Sequence, residues 1–450
     1  MRKLPGVDTL LENQRVKELT QRWSQPLVVK FIREVISIER KSIKAGRPYS
    51  GDEKLIDAIV NAAGNFTAGL LTEVINASGI IIHTNLGRAP LPRDILSEVF
   101  NIAAAYSNLE FDLLKGKRGK RGSALRHLIS AALGCESALV VNNNASAVYL
   151  ILVALSKGKE ALISRGEQVQ IGGGFKIPDI MEESGAIMKE VGTTNRTALG
   201  DYRKAITKNT ALILKVHRSN FIIEGFTEET GFSELAELGK KKKVPVVLDI
   251  GSGVLLHPSE SGLTNEPTVI EALKSKADLV CFSGDKLLGG VQAGIILGKK
   301  RLIDKLNKNP IYRVVRPDKL VIGALEKLFI KYLKDEIDDI PIWKQIRTTT
   351  GELYRRSEEF AGKLGLGADD YKIRDGIGYA GGGSDPGGKI PSVIIALQNV
   401  DPKSFADKMR KCKPPVIGRT EGGKYCIDLR TVLPHQEETL IQLLKESLSN

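Results

Sequence analysis

Three short segments carry residue types that could do chemistry, and each follows an apolar run. Asn142-Asn143-Asn144-Ala145-Ser146 comes after Ala138–Val141 and opens a helical pattern. Small polar residues at a helix start expose backbone N–H groups and can cradle an anion; Asn is also a good N-cap, which is the plainer reading. Asp249 ends the run Val244–Leu248 and precedes Gly251-Ser252-Gly253. An acid buried at a strand end needs a partner to stay charged, and a pyridinium N–H is such a partner; a capping Asp in a turn is the alternative. Lys286 stands in CFSGDKLLGG (281–290), directly after a third apolar run. A lysine in a low-dielectric loop near a cation has a lowered pKa and becomes nucleophilic. Its neighbours Phe282, Leu287 and Leu288 count against an exposed turn lysine. A phosphate cradle, an Asp for a ring nitrogen and a Schiff-base Lys are together the parts of a pyridoxal 5'-phosphate site. Their order is that of the aspartate-aminotransferase-like class.

The elements that must position these residues are legible as alternation. Short apolar runs at Ala138–Asn142, Ala161–Ser164, Ala211–Val216, Val244–Asp249, Asp278–Ser283 and Ala293–Leu297 read as strands. Helical patterns at Ala145–Leu155, Asp201–Ile206, Ser233–Lys243 and Thr268–Leu273 separate most of them. Such alternation predicts an α/β domain with a mostly parallel sheet buried on both faces. Ligands in such sheets bind beyond the strand C-terminal ends, where the three segments fall. Upstream, residues 8–45 read as one or two helices, and another runs to about Ala63. Glu73–Ile82 reads as a strand entering the new domain. A long helical stretch follows Val321 with a break at Asp339–Pro341. Then comes a Gly-rich turn (378–388) within a smaller α+β region, with strands at Pro391–Leu397 and Tyr425–Leu429 and a closing helix at Pro434–Ser447. The predicted domains are 1–72 (helical), 73–330 (α/β) and 331–450 (small α+β).

The chain has 450 residues, 42% hydrophobic and 26% charged, which suits a globular protein and argues against disorder. Its formal charge is +13. The excess is patchy: residues 1–47 hold 11 Lys/Arg against 5 Asp/Glu, and 115–121, 299–319 and 403–424 are also basic. Patches of this kind form a polyanion footprint, nucleic acid above all, although solvated helix ends also collect Lys and Arg. Aromatics are only 5%, few for a single-strand binder built on stacking platforms. The four cysteines match no metal or redox spacing and suit a reducing compartment. No secretory h-region and no apolar stretch near 18 residues is present, so the expectation is a cytoplasmic chain outside the membrane. A Walker loop, HExxH and a GxSxG elbow are missing, Gly251-Ser252-Gly253 after its strand lacks the third glycine of a dinucleotide fingerprint, and no metal site is expected.

The residues resemble the bacterial selenocysteine synthase family, the L-seryl-tRNA(Sec) selenium transferases. The likeness runs from LPGVDTLLEN (4–13) to DLRTVLP (428–434). It is most specific in INASGIIIHTNLGRAPL (75–91), YSNLEFDLLKGKRGKR (106–121), VVNNNASAV (140–148), SRGEQVQIGGGFKIPDIM (164–181), EVGTTNRT (190–197), KVHRSNF (215–221) and SGDKLLGGVQAGII (283–296). Ser78, Ser146, Val291 and Gly174 depart from the residues usual in the family. The resemblance implies a fold-type I pyridoxal-phosphate transferase whose basic N-terminal segment recognises tRNA. The implied reaction converts L-seryl-tRNA(Sec) to L-selenocysteinyl-tRNA(Sec) with selenophosphate, by β-elimination through aminoacrylyl-tRNA. It also implies a homodecamer of five dimers. Lys286 and Asp285 would be catalytic. Lys286, Asp249, Asn143, Asn144, Ala145, His217 and Ser283 would bind the cofactor, with His217, Gln168 and Gln170 as candidates to stack on its ring. Arg88, Arg313 and Arg316 would hold the donor's phosphate group. The main alternative is a pyridoxal-phosphate β-lyase or transferase acting on free amino acids, which leaves the basic N-terminus unexplained. A non-catalytic RNA binder on the same scaffold is a second.

Overall fold

The apolar runs become a seven-stranded sheet: β1 (Ser137–Val141), β2 (Glu160–Ser164), β3 (Ile187–Val191), β4 (Thr210–Val216), β5 (Val246–Gly251), β6 (Leu279–Ser283) and β7 (Gly294–Gly298). The computed structural model describes residues 4–256, 262–263, 266–367 and 369–449. Arg2 and Lys3 of the basic N-terminal stretch lie outside the described residues. The strand order is β1-β7-β6-β5-β4-β2-β3. All neighbours are parallel except β7, which runs antiparallel to both β6 and β1.

Why the strands read as continuous apolar runs is clear from the packing. Ala138 and Val140 of β1 enter one buried cluster, while Leu139 and Val141 enter another on the opposite face. On β5, Val246, Leu248 and Ile250 face the first cluster and Val247 the second. Each such aliphatic side chain stabilises the fold by roughly 1.5–3 kcal/mol when fully buried. The helices Asn144–Ser156, Phe232–Lys242 and Val269–Lys274 connect strands of this sheet.

Register decides where the chemistry falls. Val216 pairs with Asp249, and Asp249 with Cys281. Ser283 and Val141 both pair with Gly294. The C-terminal ends of β1, β4, β5 and β6 therefore lie along one edge of the sheet.

The chain divides into two compact units, Met1–Glu73 and Val74–Asn450. Among its described residues the first holds four helices: Val7–Leu11, Gln14–Arg22 and Gln25–Lys44, where one or two were expected, and Asp52–Ala68, where one was expected. The breaks have local causes. The Asn13 side chain accepts from Arg15 N and caps the second helix, and Pro26 sits in the first turn of the third. Val16, Val28, Phe31, Ile32, Leu55 and Ile59 form this unit's own core.

In the second unit a smaller sheet has the order Arg419–Glu421, Lys424–Asp428, Ile390–Leu397, Tyr371–Gly381, Ile80–Ile82. Two expectations change here. Ile80–Ile82, read as the entry to the α/β region, instead pairs in parallel with Tyr371–Gly381, through Tyr379↔Ile80 and Gly381↔Ile82. A Cβ on Gly381 would lie 2.2 Å from the Ile82 carbonyl oxygen, so glycine is what lets the two backbones meet. The stretch read as a turn from 378 is strand as far as Gly381. The helical region after Val321 is three helices, Lys319–Leu333, Pro341–Arg347 and Thr350–Leu364. Among the described residues no helix is long and apolar enough to cross a membrane.

Candidate active site

The strand-end residues surround a cavity of about 220 Å³. Asn143, Asn144, Ala145, His217, Asp249, Ser283, Asp285, Lys286 and Arg88 all line it. Asn143 caps the Asn144–Ser156 helix, its Oδ1 accepting from Ser146 N at 2.8 Å. Helical geometry leaves the amides of Asn144 and Ala145 without intrahelical acceptors, at the positive end of a 13-residue helix. The capping reading is met at Asn143, and the same helix start leaves the amides that the anion reading needs.

Asp249 is buried at the end of β5. Its Oδ1 accepts from Asn144 Nδ2 at 2.8 Å and from Gly251 N at 3.1 Å. Burial pushes its carboxyl pKa up; the Asn144 hydrogen bond, the charge of Lys286 and the Gly251 amide oppose that rise. The Asp249 carbonyl accepts from His217 N at 2.8 Å, so β4 delivers His217 to the same wall.

Lys286 is only 5% exposed. Its Nζ donates to the Gly383 carbonyl at 3.0 Å. Burial lowers its pKa and the Asp249 carboxylate raises it, while Arg88 adds to the lowering. The loop carrying Lys286 is closed on itself: Gly284 N donates to Ala293 O and Gly290 N to Gly284 O, both at 2.8 Å, and Leu287 N donates to Ser252 O at 2.9 Å. Arg88 Nη1 donates to Asp285 Oδ2 at 2.6 Å. Arg88 holds a left-handed backbone, φ +65°, an uncommon conformation for a side-chain-bearing residue that concentrates at functional sites.

These residues fit pyridoxal phosphate. Asn144 Oδ1 is buried and lacks a hydrogen-bond partner among the described residues. Burial raises the Asp249 carboxyl pKa, and a buried amine with an open helix start completes the set. Of the ring-stacking candidates, only His217 lines the cavity. Gln168 Nε2 donates instead to Glu190 at 2.6 Å, and the Gln170 carbonyl accepts from Asn220 at 2.7 Å. Arg313 and Arg316 do not line it either. Arg313 is exposed and Arg316 pairs with Glu110 at 3.4 Å. They flank Val315, whose carbonyl accepts from Asn142 N at 2.9 Å at the head of the cradle.

Sequence reasoning missed Gly383, Ser219 and Glu266. Gly383 comes from a glycine run read only as a turn, and Glu266 lies in no strand-end motif. Among the described residues no group of three His, Cys, Asp or Glu could hold a metal ion.

Comparison with known proteins agrees with this geometry. Residues 74–433 match the family described as L-seryl-tRNA selenium transferase, and residues 1–40 match the selenocysteine synthase N-terminal family. The L-seryl-tRNA(Sec) selenium transferase of Geobacter sulfurreducens is 41% identical over 461 residues, covering 99% of each chain. That of Caldanaerobacter subterraneus subsp. tengcongensis is 42% identical over 451 residues, covering 99% of this chain and 98% of the relative. Among solved structures, a D-glucosaminate-6-phosphate ammonia-lyase shares the fold, with a TM-score of 0.60 at 17% identity over 84% of this chain and 96% of that one. From a matched segment that spans the whole lysine-bearing cavity, and from full-length relatives above 40% identity, the chain belongs to the L-seryl-tRNA selenium transferase family.

Proposed function

We propose that this chain converts L-seryl-tRNA(Sec) to L-selenocysteinyl-tRNA(Sec), with selenophosphate as donor and pyridoxal phosphate in the cavity around Lys286. The observation that carries the reading is one buried amine, Lys286, sharing a cavity with a buried carboxylate, Asp249, and an open helix start at Asn144.

Bound there, pyridoxal phosphate supplies an electrophilic carbonyl carbon and a conjugated ring that draws electrons from the substrate's α-carbon. The amides of Asn144 and Ala145, with Ser283, hold the phosphate. The Asp249 carboxylate holds a proton at the ring nitrogen. His217 covers one face. Lys286 Nζ, whose pKa burial lowers, takes the α-proton of the seryl group. Lys286 passes that proton to the β-hydroxyl, which departs as water; selenium then bonds to the β-carbon, and a proton from the donor returns through Lys286 to the α-carbon. Water then cleaves the P–Se bond and phosphate leaves.

The donor anion needs cations of its own, since the substrate's carboxylate is esterified to tRNA and carries no charge. Arg88 is held at the cavity by Asp285. Arg313 and Arg316 flank the residue that anchors the cradle, and guanidinium forks suit phosphate-type oxyanions. The basic helices of residues 1–47 serve the tRNA. Exposed Tyr106, Leu113 and Leu114 support self-assembly, for which the family's likeness implies a cytoplasmic decamer of five dimers.

The deciding experiment supplies selenophosphate with seryl-tRNA(Sec) or with ordinary seryl-tRNA and follows selenium into the aminoacyl group. Conversion of the first alone supports the reading. Turnover of free L-serine without tRNA would replace it with a β-lyase. Arg313→Ala should raise the KM for selenophosphate and spare tRNA affinity; equal loss of both would move Arg313 to the RNA surface.

A further inference from the structure

The wall behind His217 holds two buried polar atoms that no described residue satisfies, His217 Nε2 and Glu266 Oε1. Their side chains face each other. His217 Nε2 lies 3.6 Å from Glu266 Oε2; the Glu266 side chain is fully shielded and that of His217 is 17% exposed. A buried carboxylate with an open oxygen is costly, and such groups are normally paired. Glu266 also reaches elsewhere. Its Oε2 accepts from the backbone N–H of Asp385 at 2.6 Å. That residue belongs to the same Gly-rich turn as Gly383, the acceptor of Lys286 Nζ. One carboxylate therefore stands between the imidazole wall of the cavity and the turn on which the lysine amine rests.

We propose that Glu266 is a positioning residue that fixes the imidazole of His217 by accepting its Nε2–H, while holding the 383–385 turn where Lys286 meets it. The partner on one ring nitrogen of a histidine sets the proton on the other. With Nε2–H committed to Glu266, Nδ1 stays a lone-pair acceptor and the ring plane is set. The gap of 3.6 Å exceeds a hydrogen bond, and a small turn of the ring closes it; such contacts commonly tighten once a site is filled. Glu266 is not itself among the residues that line the cofactor cavity, so its action runs through His217 and the turn. The proposal rests on the pyridoxal-phosphate reading of the cavity, with His217 facing the cofactor.

The test is nitrogen-15 NMR of the imidazoles in the cofactor-free full chain, alongside cofactor titration by absorbance. The chain has five histidines, and the signals lost in His217→Asn assign the ring. Wild type should show His217 as the Nε2–H tautomer. Glu266→Gln keeps an oxygen acceptor and should keep that tautomer, with cofactor affinity within about threefold of wild type. Glu266→Leu should show mixed tautomers and bind cofactor about tenfold more weakly. An Nδ1–H tautomer in wild type overturns the proposal without any variant. So do unchanged His217 signals in Glu266→Leu, whatever happens to affinity, and so does a Gln variant that fails like Leu. Absence of seryl-tRNA(Sec) turnover in wild type would instead remove the activity reading and leave the tautomer result standing.

Discussion

Replacing Asp249 by Asn should separate two effects that usually move together. The Asp249 Oδ1 already accepts from Asn144 Nδ2 and Gly251 N, and an Asn carbonyl oxygen at the same place keeps both bonds. The change removes charge and little else. Without cofactor, that charge is a burden: burial raises the carboxyl pKa above its ordinary value. A group whose folded pKa is raised binds more protons folded than unfolded, so its contribution to stability falls as pH rises through the folded pKa. Cofactor-free Asp249→Asn should therefore unfold at the same temperature as wild type or higher, with the advantage growing as pH climbs above the usual carboxylate range. With cofactor the sign reverses. A hydrogen bond to a charged group contributes about 1.5–3 kcal/mol, a factor of about 10 to 150 in affinity. The variant should bind pyridoxal phosphate more weakly by that factor, read from absorbance titration, and lose most of the thermal shift that saturating cofactor gives wild type. Affinity within twofold of wild type would refute the role assigned to Asp249. A large drop in cofactor-free stability would refute the claim that its charge is a burden there.

Gly383→Ala would place a Cβ 2.7 Å from Lys286 Nζ at a position with φ +78°; it should cost about 1–2 kcal/mol for the left-handed backbone, seen in chemical denaturation, and slow the formation of the cofactor's absorbance band. Ile32→Ala, in the core of the N-terminal unit, should destabilise that unit by about 2–5 kcal/mol and weaken tRNA retention on a filter, while the cofactor spectrum stays that of wild type. Raising salt from 50 to 200 mM should weaken tRNA binding steeply, because phosphate contacts release counterions, and leave cofactor binding nearly unchanged; parallel losses would contradict separate anion sites.

The cofactor pocket was readable because its groups stand at the ends of buried strands, and those strands announce themselves as apolar runs. Asn143, Asp249 and Lys286 are far apart in the chain, yet β1, β5 and β6 run the same way, with antiparallel β7 between β1 and β6, and this brings their strand ends to one edge of the sheet. What stayed hidden lacked that signature. β3 (IMKEV) is an edge strand with charged residues mid-run, so no apolar run marks it. Tyr371–Gly381 carries three glycines, of which Gly378 and Gly381 fell in the stretch read as a turn, although close packing against Ile394 and Ile82 is what demands Gly376 and Gly381. Glu266 and Gly383 reach the site from segments with no periodic pattern. Arg313 and Arg316 were expected with Lys286 and stand outside its cavity.

The antiparallel return of β7 beside β6 ties the Lys286 loop at both ends into the middle of the sheet. Amides in such a segment open only when the surrounding core opens. In deuterated water, the bonded amides of Gly284, Leu287, Gly289 and Gly290 should be among the last to exchange, with or without cofactor. The clock of this loop is then that of global unfolding. A substrate as large as a charged tRNA must then reach the lysine past the outer walls of the cavity, such as Ile171 and Gly172, while the lysine stays put.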